Sequence, residues 1–170
     1  MRALLSKLWV RNVIGAVVTL AALGVIVATD LGKSWAEYRQ TVVPGAVVPA
    51  GKSGEADGRT WKIDSIRHLN RNPSRFGPPL PEGTVLTVIT VDRSGEPYTD
   101  VMCKGVLIDG ERRWSSEGIG GYSVPDTDGV TSMCSAPGKL RYTFLHPQEV
   151  VPTAMDIVQL DGRIIVRLLL

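Results

Sequence analysis

Residues 155–170 read MDIVQLDGRIIVRLLL, two strongly apolar runs joined by Asp161-Gly162. An Asp-Gly pair can supply the positive φ angles of a type I′ turn, whose twist matches that of two flanking antiparallel strands. The spacing therefore predicts a β-hairpin with strands at Met155–Leu160 and Arg163–Leu170. Working upstream, the same grammar repeats. Lys139–Leu145 alternates Leu140, Tyr142 and Phe144 against Arg141 and Thr143, the period-two signature of a strand. Val130–Ser135 is a short strand candidate, and Val101–Ile108 leads through Asp109-Gly110 into Arg112–Ser115, a second hairpin. Thr84–Val91 (TVLTVITV) is apolar on both faces, as expected inside a two-layer packing. Thr60–Leu69 alternates at Trp61 and Ile63 and changes phase at Ile66, which predicts a bulge or twist.

Between these runs lie segments that cannot be regular structure. Asn72–Gly83 carries Pro73, Pro78, Pro79 and Pro81, too many missing amide donors for a helix or central strand. Ser116–Gly129 is a long glycine-rich loop. About seven short strands in residues 59–170, with no helical period among them, predict an all-β domain, specifically an immunoglobulin-like β-sandwich; a small barrel is the alternative.

Further upstream the pattern changes completely. Val13–Thr29 is unbroken by charge, and a helix of that length lies at the short end of what spans a hydrocarbon core of about 30 Å. Trp9 on one side and Trp35 and Tyr38 on the other suit the headgroup zones. Arg2, Lys7 and Arg11 precede the first acid, Asp30, which predicts a cytoplasmic N-terminus and a C-terminal domain outside the plasma membrane. The expected organisation is a cytoplasmic basic tail (1–12), one transmembrane helix in contact with the lipid bilayer (13–31), a juxtamembrane segment and Gly/Pro linker (32–58), and the extracytoplasmic domain (59–170). A cleaved signal peptide is the competing reading. Its apolar core would be shorter, about 7–15 residues, and Val27-Ala28-Thr29 makes a poor cleavage site.

The formal charge of +2 belongs to the tail. Once Arg2, Lys7 and Arg11 are set aside, 16 Lys/Arg face 17 Asp/Glu, so the rest of the chain carries −1. A domain of that balance lacks the concentrated basic face that displaces phosphate counterions, and no nucleic-acid partner is expected. Cys103 and Cys134 are the only cysteines. In an exported domain an even count predicts a disulfide, here closing a loop of about 30 residues and contributing roughly 3–4 kcal/mol.

Chemistry is sparse. His68 and His146 are the only histidines, without metal-ligand spacing or a nucleophile elbow, and both are expected as surface loop residues. Asp126, Asp128 and Gly129 faintly resemble a calcium loop, but Pro137 stands where the closing glutamate would be. Neither a catalytic residue nor a cofactor or metal site is assigned. Trp61 is expected in the core, and Trp114, Tyr122 and Phe76 form a candidate contact patch, because aromatic side chains are enriched at binding hot spots.

The basic tail, the apolar anchor, the Gly/Pro linker, the W-x-I strand (Trp61, Ile63) and the G-x-V-L-x-V strand (Gly83 to Val88) together resemble telokin-like, immunoglobulin-fold, membrane-anchored envelope proteins of Gram-positive bacteria and actinobacteria. The Ala/Val/Gly-rich style is similar to mycobacterial membrane proteins. The resemblance implies fold and placement and carries over no catalytic residues; paired cysteines are not a general feature of that family. The expected function is a non-enzymatic protein-interaction module, an accessory subunit of a cell-envelope assembly with an envelope protein as partner. A lipid or cell-wall ligand-binding domain is the alternative, and an envelope enzyme comes third.

Overall fold

A computed structural model describes residues 2–74, 77–98, 102–118, 121–125, 127, 129–136 and 138–170, with side chains from residue 9 onward. The chain divides into two compact units, Met1–Arg39 and Gln40–Leu170.

The first unit is helical. Helix α1 (Arg2–Ile26) passes through a π-helical turn at Val27–Leu31 into helix α2 (Gly32–Val42), which runs on into the second unit. From Trp9 to Val42 the helix is long and apolar enough to cross a membrane, with a mean hydropathy of 2.2 in its most apolar window. Its apolar side chains are exposed rather than packed: Leu20 is 69% and Val25 62% accessible. Within the apolar stretch, Thr19 and Thr29 return their hydroxyls to the carbonyls of Gly15 and Val25, so neither hydroxyl needs water.

The second unit is mostly β, with ten strands in two mixed sheets among the described residues. In chain order they are β1 (Val47–Val48), β2 (Ser53–Ala56), β3 (Arg59–Leu69), β4 (Thr84–Ser94), β5 (Cys103–Asp109), β6 (Arg112–Ser115), β7 (Val130–Thr131), β8 (Lys139–Pro147), β9 (Ala154–Gln159) and β10 (Ile164–Leu169). One sheet has the order β1-β10-β9-β5-β6, the other β2-β3-β4-β8-β7. The two short pairings, β1 with β10 and β7 with β8, are parallel; the rest are antiparallel.

One core joins the sheets. Leu107, Met155, Ile157, Val166 and Leu168 of the first sheet pack with Trp61, Ile89, Val91, Leu140, Tyr142 and Phe144 of the second. Trp61 is fully buried, and its indole N–H donates to the Ala56 carbonyl at 3.1 Å, so the ring enters the core without an orphaned donor. Gly105 lies where the other sheet comes too close for a side chain. A Cβ there would stand 2.8 Å from both Phe144 and Tyr142.

The stretch 41–58, expected as linker, is where the structure differs most from the sequence reading. Its first residues end α2, and both strands that the sequence reading missed, β1 and β2, lie in it. Asp57 (φ 53) and Gly58 (φ 69) form the two-residue turn between β2 and β3, the positive pair that a type I′ turn requires. At Asp161-Gly162 the expected hairpin forms, but with a different turn. Only Gly162 is left-handed (φ 93), and Gly162 N–H donates to the Gln159 carbonyl: a type I turn closed by a glycine bulge. At Asp109-Gly110 the loop proper is Gly110-Glu111, with positive φ at Gly110 alone. The bulge expected in β3 is present, as a register shift between Ile63 and Ser65. Val130–Ser135 supplies only two strand residues, because Cys134 lies in a turn beyond β7.

Candidate interaction surface

Three places in the β unit combine exposure with organised chemistry. The first is the end where Gln40–Gly45 meets the sheets, with Gly45 N–H donating to the Ile164 carbonyl at 3.0 Å. The Cys103–Cys134 disulfide braces this end, tying β5 of one sheet to the turn that precedes β8 of the other, with Cα atoms 5.8 Å apart. The Tyr142 hydroxyl lies 3.1 Å from the Cys103 sulfur, and burial pushes that phenol up from its usual pKa. Arg93 is 6% exposed and donates to the carbonyls of Cys134 (2.6 Å) and Ala136 (2.7 Å), so the turn carrying Cys134 is held by a cation as well as a covalent bond. Burial lowers the Arg93 pKa from its usual value.

Beside them Asp57 gathers three partners. The Tyr98 hydroxyl donates to it at 2.8 Å, and Arg59 and Arg163 stand at 3.8 and 3.7 Å. Burial first, and then the hydrogen bond to Asp57, push the Tyr98 phenol up to about 12. The Arg59 guanidinium lies 3.7 Å over the Tyr98 ring. Asp57 and Arg163 also line a hollow of about 280 Å³ with Gln40, Val43 and Gly45.

The second place is the opposite end. Here His68 Nδ1 and His146 Nε2 each lie 2.8 Å from the Thr87 hydroxyl, and His146 Nδ1 lies 2.9 Å from the Pro147 carbonyl. A carbonyl only accepts, so His146 Nδ1 carries the proton and, in the neutral ring, Nε2 accepts from Thr87. Thr87 in turn accepts from His68. The expectation of two surface histidines therefore holds for His68 but not for His146, which is 2% exposed beneath Trp114, ring centroids 6.0 Å apart. The arrangement orders hydrogen bonds but exposes no nucleophile: Thr87 is 1% accessible. Among the described residues no carboxylate is bonded to either ring, and no His/Cys/Asp/Glu group could hold a metal ion.

The third place is the edge of β3. This strand has eleven residues, and β2 pairs only with Arg59–Lys62. From Ile63 to Leu69 the other side is paired to β4, whereas no backbone hydrogen bond reaches the outer edge among the described residues. Ile66 is 39% exposed there. Sequence reasoning identified β3 but not its free edge. The signal was present in the unequal lengths of the two runs around Asp57-Gly58.

Of the three aromatic residues of the expected patch, two are described. Trp114 is half-buried and packs against the core, while Tyr122 donates its hydroxyl to the Pro79 carbonyl at 3.3 Å. Phe76 lies outside the described residues, as do Asp126 and Asp128 of the calcium-like motif. The loop after β6 is instead a cover for the second sheet: Val124 N–H reaches the Thr143 hydroxyl, and Arg141 holds the Pro125 carbonyl.

Comparison with family models, curated proteins and solved structures finds no match for this chain.

Proposed function

We propose that this chain is a membrane-anchored, extracytoplasmic protein-interaction module, an accessory subunit of a cell-envelope assembly, and that its partner docks on the outer edge of β3. The observation that carries this reading is that, among the described residues, no backbone hydrogen bond reaches the outer edge of β3 from Ile63 to Leu69. An extended segment of another protein can continue the ladder there, with backbone hydrogen bonds for affinity and alternate side chains for specificity. The bulge at Asp64, whose carboxylate is held by Lys139 at 2.7 Å, and the charge of Arg67 are devices that discourage indiscriminate edge pairing, which suits one chosen partner.

Placement rests on the apolar helix of residues 13–31, the basic residues ahead of it and the disulfide, which together support a single-pass protein with its β unit outside the cell. Two sheets around a core containing Trp61 accord with the immunoglobulin-like sandwich of telokin-like envelope proteins, and the disulfide is a departure from that family. The alternative, a lipid or cell-wall ligand domain, has less support, because the hollow beside Asp57 and Arg163 is charged and Trp114 is turned to the core.

The test is photo-crosslinking in intact cells with a reactive residue placed at Ile66 or Arg67 of the full chain, against a control at Val151. A single protein adduct at the two edge positions and not at Val151 is expected. Recovery of the uncrosslinked chain alone at all three would overturn the reading.

A further inference from the structure

At the end of the β unit where Gln40–Gly45 comes in, three large apolar side chains stand in solvent: Leu160 is 69% exposed, Met102 63% and Met133 52%. Singly, such residues need no explanation. Here they adjoin one another through structure. Met102 and Met133 are the chain neighbours of the two bridged cysteines, and Leu160 N–H donates to the Met102 carbonyl at 3.2 Å. Val42 and Val43, 45% and 51% exposed, lie at the same end. A Cβ on Gly162, two residues past Leu160, would sit 3.4 Å from the Thr41 methyl. The loops are not loose tips. The disulfide, the Arg93 bonds and the glycine bulge at Gly162 hold them, so these side chains are presented in fixed places.

We infer that this end is a lipid-contact surface, with Met102, Met133 and Leu160 seated in the headgroup layer of the bilayer that the chain's own helix crosses. The inference rests on the proposed span of residues 13–31 but not on any protein partner. Chain length argues for lipid as the occupant. Gly32–Arg39 is eight helical residues, a rise of about 12 Å at most, and less along the bilayer normal if the helix is tilted. The headgroup region of one leaflet is roughly 5–8 Å deep. Trp35 and Tyr38, 62% and 55% exposed with ring centroids 5.6 Å apart, are the residue types that settle in that layer, and Tyr38 is one helical turn before Thr41. The first residues of the β unit therefore begin no more than about 4–7 Å beyond the headgroups. An apolar Met/Leu cluster beside them buries surface there that would otherwise face water.

The experiment uses the full chain, purified and reconstituted into phosphatidylcholine/phosphatidylglycerol vesicles doped with a headgroup spin-labelled lipid. An environment-sensitive fluorescent residue is placed in turn at Leu160, at Met133 and at Val151, the last 75% exposed in the β8–β9 loop at the opposite end. Blue-shifted emission at 160 and 133, with quenching about two-fold or more above that at 151, is expected for side chains at headgroup depth. Equal quenching at all three positions would overturn the inference. A second arm places the probe at Met102 and adds Leu160→Asp and Met133→Asp. Loss of quenching with unchanged thermal unfolding supports the surface, and quenching that persists counts against it. No partner protein is present in either arm, so the outcome is independent of crosslinking at β3.

Discussion

The two ends of the β unit are held by different chemistry, across the two sheets at one end and within a single sheet at the other. At the Gln40 end the closure is covalent and ionic: Cys103–Cys134, the Arg93 cation on two carbonyls, and Asp57 among Tyr98, Arg59 and Arg163. At the far end it is a chain of hydrogen bonds from His68 through Thr87 and His146 to the Pro147 carbonyl, roofed by Trp114. Strong, redundant ties let the first end keep apolar side chains in solvent without losing its shape. The far end has no such reserve, and each hydrogen bond in its chain depends on the orientation of the next. The contrast teaches where covalent and ionic ties have been concentrated: at the end of the β unit that Gln40–Gly45 enters.

Removing the disulfide should have the largest effect. Cys103→Ala with Cys134→Ala is expected to lower unfolding stability by roughly 3–4 kcal/mol, read by chemical denaturation in mild detergent. A loss near zero would mean that Arg93 alone holds this end, and the contrast between the ends would be sharper than drawn. Next comes the far end. Thr87→Val keeps the shape but leaves buried His146 Nε2 without its donor, costing about 1–3 kcal/mol. An unchanged midpoint would show that the two histidines are not joined through Thr87.

The smallest effect at neutral pH belongs to Tyr98→Phe, about 1 kcal/mol for a hydrogen bond to a half-exposed carboxylate. Its value lies in the pH dependence. A tyrosine ordinarily titrates near 10, and the folded Tyr98 near 12, so the unfolded chain gives up that proton first. The contribution is fully present below pH 10 and is lost as pH rises toward 12. Buried Tyr142, shifted in the same direction, adds to this alkaline loss. Thermal midpoints measured from pH 8 to 11.5 should fall more gently in Tyr98→Phe than in the parent, and parallel curves would detach Tyr98 from Asp57.

Much of this was legible in the chain. The apolar helix, the strands from β3 onward, the bulge after Ile63 and the pairing of the only two cysteines follow from periodicity, turn residues and count. The stretch 41–58 was misread because its prolines and glycines outweighed Asp57-Gly58, the same signal that was trusted at 161–162. Met102 and Leu160 read as strand residues by hydropathy, yet one precedes β5 and the other leaves β9 into a turn. His146 looked exposed because a proline follows it. That judgement weighed neighbours in sequence, whereas burial depends on neighbours in space.

By itself the sequence determined what local physics controls: a charge-free helix of spanning length, the alternation that makes strands, and the dipeptides that turn them. It could not say which turn each Asp-Gly would take, because that depends on the register of the strands being joined. Nor could it say that Thr87 would lie between two histidines 78 residues apart in the chain, or that two methionines and a leucine from three loops would meet at a disulfide. Those placements are set only when two sheets close on one core, because side chains distant along the chain become neighbours through packing alone.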